Sequence, residues 1–203
     1  MRGRALNSQA IYLQLTGQIE RALTGYAAAR DLWRSVGNRT RQGMALLNLG
    51  ILSYQLQQYE AAKNYLLQAA ALFEATGNGY QLGSVQNQLG LLYRDQGLLS
   101  DAYACFDAVA EQRRQMLDSE SLGRALNNRG EVLLFQGKLS AAADDFKEAL
   151  TLLQARTFAV DVHLNLGLTH QVGGDLEGAC QAFQQALTIA EAIGRRDILA
   201  EIH

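Results

Sequence analysis

The chain has no proline, one tryptophan and two cysteines in 203 residues. Without proline, glycine is left to mark the turns. The 19 glycines, set among abundant Ala, Leu and Gln, predict helix throughout. Cys105 and Cys180 lie far apart, with no CxxC and no neighbouring Cys/His cluster, so neither a disulfide framework nor a cysteine metal site is indicated. Both fall on apolar helical faces and are expected to be small buried thiols. Charge is sparse too, at 19% of residues with a formal net charge of -2. That balance gives no basic footprint for nucleic acid or an anionic membrane surface. The opening residues MRGRALNSQA lack the apolar run of a signal peptide, and no stretch approaches the roughly 18 consecutive apolar residues of a membrane span. A reduced, cytoplasmic setting fits these absences.

What is present is repetition. Gly3, Gly43, Gly83 and Gly123 stand 40 residues apart and open related segments: GRALNSQA, GMALLNLG, GSVQNQLG and GRALNNRG. A fifth copy, VDVHLNLG, follows in shortened register. A fixed period of this size means stacked elements, none of which can bury its apolar face alone. The repeats run about 3–40, 41–80, 81–120, 121–156 and 157–197, a single array over 1–203 with the start of a further helix at 198–203. Each holds two helical apolar patterns. In the second repeat these are Leu46, Leu49, Leu52 and Leu56, then Ala62, Leu66, Ala69 and Phe73. Short turns at Thr16-Gly17, Leu56-Gln57, Gln96-Gly97, Gln136-Gly137 and Gly173-Gly174 separate the two patterns, with Asp175 expected as a helix N-cap. Gly37-Asn38, Gly77-Asn78 and Gly194-Arg195 read as helix ends. Leu117 occupies the corresponding place in the third repeat, so that junction is expected to end its helix differently, using Asp118 or Ser119. From Gly130 to Gly167 the step is 37, which predicts a shorter helix or tighter junction near Arg156.

A small residue recurs in each first helix: Ala10, Gly50, Gly90, Gly130 and Gly167. Alanine follows twelve residues later at Ala22, Ala62, Ala102, Ala142 and Ala179. A large residue comes next (Tyr26, Leu66, Phe106, Phe146, Phe183), then a small one (Ala29, Ala69, Val109, Ala149, Ala186). A glycine inside a helix costs about 1 kcal/mol against alanine. Its recurrence predicts close approach of two helix backbones, with small–large–small nesting of one hairpin on the next. This series resembles the tetratricopeptide repeat, and the 40-residue wording GRALNNRG…QGKLSAAADDFKEAL is similar to the long-helix variant of Pins/LGN scaffolds and bacterial regulatory arrays. The resemblance implies an all-α, right-handed α-solenoid of five stacked helical hairpins. The chain departs from the family pattern at the absent unit-end proline, at Ser53 where tyrosine is common, and at Trp33.

No catalytic constellation emerges. His163 and His170 stand seven apart, Asp144 and Asp145 point about 100° apart on a helix, and no HExxH, P-loop or GxSxG motif is present. The expectation is a non-enzyme without cofactor or metal.

In the resembled family the first helices line a concave groove, and its ligand-reading positions map by phase onto this chain. They fall on Arg4, Asn7, Ser8, Ile11 and Gln14 in the first repeat, and on Asn48, Ile51, Tyr54 and Gln55 in the second. The third has Asn87, Gln88, Leu91, Arg94 and Asp95, the fourth Arg124, Asn127, Asn128 and Glu131, the fifth Asn165, Leu168 and Gln171. Asparagine is a mediocre helix former, so its recurrence here asks for a reason. One reading is a ladder of amides facing a peptide backbone; the other is hydrogen bonding between helices that holds the stack. Asn48, Asn128 and Asn165 fit either, whereas Asn7, Asn87 and Asn127 lean toward a ligand. Arg94 and Arg124 are expected charge partners for a mixed or mildly acidic peptide. The lysines of a carboxylate-clamp groove are missing. Ile198, Leu199 and Ile202 leave an apolar end, a candidate for self-association, and the chain is expected to be part of a longer array or multidomain protein. The function expected is a protein-interaction module binding a peptide or helix in its groove, with a place as the sensor or docking arm of a larger regulatory protein one form of it. A structural spacer or oligomerisation segment stays open as the alternative.

Overall fold

The computed structural model describes residues 2–153 and 156–194; the apolar end with Ile198, Leu199 and Ile202 lies outside the described residues, as does Arg195. Among the described residues there are ten α-helices and no strand: α1 (Arg2–Leu15), α2 (Ile19–Ser35), α3 (Arg39–Gln55), α4 (Tyr59–Ala75), α5 (Gly79–Asp95), α6 (Leu99–Gln115), α7 (Ser119–Phe135), α8 (Leu139–Leu152), α9 (Arg156–Val172) and α10 (Leu176–Ile193). They form two compact bodies, 1–92 and 93–203, with the break inside α5. In the N-terminal body α1 packs on α2, α2 on α3 and α3 on α4. In the C-terminal body α6 through α10 each pack on the next.

Glycine in the left-handed region closes the helices as its placement foretold. Gly37 and Gly77 have φ of +70° and +64°, and Gly194 caps α10 at +73°. The polar residue after each turn does a second job. The backbone N–H groups of Arg41, Gln81 and Ser121 donate to the side chains of Asn38, Asn78 and Asp118, satisfying donors at the starts of α3, α5 and α7. Asp175 caps α10 in the same way, accepting from the Gly178 N–H at 2.9 Å. Leu117 corrects an expectation. It does not end its helix differently but takes the glycine conformation itself, at φ +56°, with its side chain 88% exposed. Gln57 does the same at +58°. For a bulky L-residue this conformation is strained.

The recurring alanines Ala22, Ala62, Ala102 and Ala142 are fully buried, as are Leu66, Phe106 and Phe146. The glycine notches are filled differently from expectation. What comes nearest is the large side chain of the following helix, with its backbone next: the Ala62 carbonyl would lie 3.4 Å from a Cβ on Gly50. A Cβ added to Gly50 would lie 2.7 Å from Leu66, one on Gly130 2.7 Å from Phe146, and one on Gly167 2.5 Å from Phe183. A second set of notches repeats the device one turn-pair away. Trp33 seats on Gly3, Phe73 on Gly43 and Leu153 on Gly123. These three side chains share one phase of the repeat, so Trp33 is a packing residue on the pattern.

In the C-terminal body Arg129 of α7 joins three helices. Its guanidinium donates to both carboxylate oxygens of Asp145 on α8, at 2.8 and 2.7 Å, and also to Asp107 on α6. Hydrogen bonding to Asp145 and the charges around it raise the arginine pKa further. The short step is visible in α8, which has 14 residues where α2, α4 and α6 have 17. Its last turn gives way to Leu153 in an extended conformation. The cysteines divide. Cys105 is partly buried, and desolvation with nearby Asp101 pushes its thiol up to about 11, whereas Cys180 is exposed, against expectation.

Candidate functional site

The first helix of each repeat presents a polar row between apolar packing residues, because one helical turn separates the core phase from the Asn/Gln phase. In the C-terminal body this row is wired together. Asn165 on α9 donates through Nδ2 to Asn127 Oδ1 and Glu131 Oε1 on α7, both at 3.0 Å. Asn127 donates through its own Nδ2 to Glu131 Oε1 at 2.9 Å. Arg94 at the end of α5 donates to Glu131 and to Asp95. The four side chains therefore cross three successive first helices, from α5 through α7 to α9. Thr169 donates to the Asn165 carbonyl at 2.7 Å, one turn further along α9.

This arrangement distributes the sequence-predicted residues. Asn127, placed there against a ligand, is 2% exposed and uses both ends of its amide within the chain. Asn165 is tied to α7 through the bonds above. Arg94 has carboxylates on two sides. Arg124 is exposed, with its guanidinium 4.7 Å from the centre of the Phe158 ring. Asn128 is half-buried on α7 and Gln171 exposed near the end of α9.

In the N-terminal body Asn48 and Tyr54 are half-buried on α3, and the Tyr54 ring lies 6.2 Å from that of Tyr59. Asn87 and Gln88 are half-buried on α5. Gln14 accepts the Tyr26 hydroxyl at 2.8 Å, which removes one acceptor from the row. Arg4 and Asn7 line a small pocket of about 170 Å³ with Trp33, Arg41 and Met44. Trp33 escaped the phase argument because it lies on a second helix, and Arg41 because it stands at the start of α3, outside the phases followed. Their signal was the 40-residue spacing from Trp33 to Phe73.

A third feature lies among α8, α9 and α10 of the C-terminal body. An open groove of about 760 Å³ is lined by Lys147, His163, His170, Asp175 and Cys180 among others. His170 Nδ1 lies 2.8 Å from an Asp175 carboxylate oxygen. Burial pushes the His163 pKa down, and its Nδ1 has no hydrogen-bond partner. Among the described residues no group of three or more His, Cys, Asp or Glu is placed to hold a metal ion. No helix of the described residues is long and apolar enough to cross a membrane.

Tetratricopeptide repeat family models match residues 2–75, 81–155 and 160–193. The Tonsoku-like protein of Mus musculus is 26% identical over 235 aligned residues, covering 100% of this chain; the chain spans 17% of that protein's length. The SH3 domain and tetratricopeptide repeat-containing protein 2 of Homo sapiens is 38% identical over 72 residues, which are 36% of this chain and 6% of that protein. Among solved structures, the apo form of RapI aligns over 100% of this chain and 75% of its own, with a TM-score of 0.91 and 14% identity.

Proposed function

Since the chain belongs to the tetratricopeptide repeat family, we propose that it is a protein-interaction module whose first-helix faces bind a peptide segment of a partner. The observation that carries this reading is the Arg94–Glu131–Asn127–Asn165 chain of side chains across α5, α7 and α9. Its partly exposed members, Arg94 and Glu131, are held rigid by these bonds as a pre-organised polar edge, which lowers the ordering cost of binding. The exposed Arg124 and Gln171 beside it are left to make direct contacts. A neighbour of the same fold supports the reading. The Rap conjugation regulator of plasmid pLS20 is in complex with the Phr* peptide; it aligns over 95% of this chain and 54% of its own, with a TM-score of 0.76 and 18% identity.

The test is a partner captured with the intact protein and titrated against two variants. Asn48, Arg124 and Gln171 changed together to Ala should weaken binding about tenfold or more. Asn64 and Ser140, on α4 and α8, changed to Ala should leave it alone. Equal affinities for the two variants would refute the first-helix assignment.

A further inference from the structure

The charge of the chain is divided unevenly. Residues 1–92 carry eight Lys or Arg against four Asp or Glu, and residues 93–203 carry ten against sixteen. In the C-terminal body Arg94, Arg114 and Arg129 hold carboxylates. In the N-terminal body Arg30 and Arg34 share Asp31. Arg4 on α1 and Arg41 on α3 both line two adjoining openings, of about 420 and 170 Å³, with Trp33 of α2 between them. Among the described residues, none that lines either opening is acidic.

The geometry is built rather than incidental. Trp33 is fixed because its ring lies in the Gly3 notch, where an added Cβ would come within 2.5 Å of it. Arg41 is fixed at its backbone by the Asn38 cap at 3.1 Å and at its guanidinium by the indole face, 4.9 Å from the ring centre. Stacking leaves the edge of a guanidinium, where its N–H donors lie, open to an anion. Arg4 approaches the same wall from α1. Two guanidiniums on one pocket repel each other until an anion joins them, and a carboxylate matches the paired N–H geometry of arginine. The indole and Met44 supply an apolar wall for the methylenes that carry such a carboxylate.

We infer that the Arg4–Trp33–Arg41 pocket receives the side-chain carboxylate of an internal Asp or Glu in an acidic partner segment. The inference rests on the peptide-binding reading for its partner class and adds to it the chemistry and the place of recognition. It also moves the charge contact from Arg94, which is already paired, to the N-terminal body.

Trp33 is the single tryptophan of the chain, so its emission reports this pocket directly. The probe is a ten-residue peptide of Glu and Ala, acetylated and amidated so that no terminal carboxylate is present. Titration at low salt should give a saturable change in Trp33 emission that added salt weakens. The Gln-for-Glu peptide should bind at least about tenfold more weakly, and so should the Glu peptide to the Arg4→Gln, Arg41→Gln protein. The Arg4→Lys, Arg41→Lys protein should recover part of the affinity, which separates lost charge from lost fold. No saturable change with the Glu peptide would overturn the inference. So would equal response to inorganic phosphate, or a change produced by concentrating the protein alone, which would point to a second copy as the occupant. If Trp33 responds as expected while the Asn48, Arg124 and Gln171 variant binds its partner normally, the first-helix reading fails and the pocket stands. The opposite pair of results removes the pocket alone.

Discussion

Leu117→Gly should make the protein more stable, although it deletes a large hydrophobic side chain. The residue sits at φ +56°, where an L-residue other than Asn or Asp carries a steric cost of about 1–2 kcal/mol. Its side chain is 88% exposed, so almost no burial is lost on removing it. Glycine gives back about 0.5–1 kcal/mol through the greater freedom of its unfolded chain. The net gain is about 0.5–1 kcal/mol, a rise in Tm of about 1–4 °C for a chain of this size. Thermal and urea unfolding followed by circular dichroism at 222 nm measure it, with the urea m-value unchanged. Leu117→Ala is the control, since it removes the side chain but keeps the strained conformation, and it should leave Tm nearly where it was. A fall in Tm for Leu117→Gly, or an equal rise for the alanine variant, would refute the strain argument.

The same packing logic gives three further outcomes. Gly130→Ala should destabilise by about 1–2 kcal/mol although alanine is the better helix former, because the new Cβ would meet the buried Phe146 ring at 2.7 Å; neutral or improved urea stability would contradict the notch. Asp145→Ala should cost about 2–4 kcal/mol by leaving Arg129 short of its bidentate partner, and Arg129→Met in the same background should recover part of the loss, as read by urea midpoints. Burial holds the His163 pKa below its ordinary value near 6.5, so the folded state favours the neutral ring. The stability this gives is complete above about pH 6.5 and is lost as pH falls toward the lowered folded-state value. Urea midpoints at pH 7.5 and 5.5 should fall further apart for the wild type than for His163→Gln.

The fold was legible because its determinants are local and repeated. Glycine at a fixed phase marks most of the turns, with Gln57 and Leu117 in its place at two of them, and the alanine–large–small series needs no knowledge of neighbours to be read as a packing face. Leu117 was misread for the same reason. Its place in the repeat, with helices on both sides, dictates the backbone conformation whatever residue stands there, and a rule based on residue preference sees only the missing glycine. The notches show a similar limit. A recurring glycine announces that something approaches closely, but whether Leu66, Phe146 or a backbone fills the space depends on the crossing of two helices. The polar row was half legible. Its amides could be counted, yet the choice between ligand contact and mutual bonding needed the separation of Asn127 from Asn165, 38 residues away in sequence and 3.0 Å apart in space. The Trp33 pocket was hidden because it unites the end of α2 with the starts of α1 and α3, three segments that no single periodicity connects.

The central claim is that partners engage the first helices, and site-specific photo-crosslinking tests it most directly. A photoreactive side chain is placed at Asn48 on α3 or Gln171 on α9, and for comparison at Asn64 on α4 or Thr188 on α10. With a captured partner, covalent adducts should form from the α3 and α9 positions and be absent from the other two. Adducts confined to Asn64 and Thr188 would contradict the account and place binding on the second helices instead.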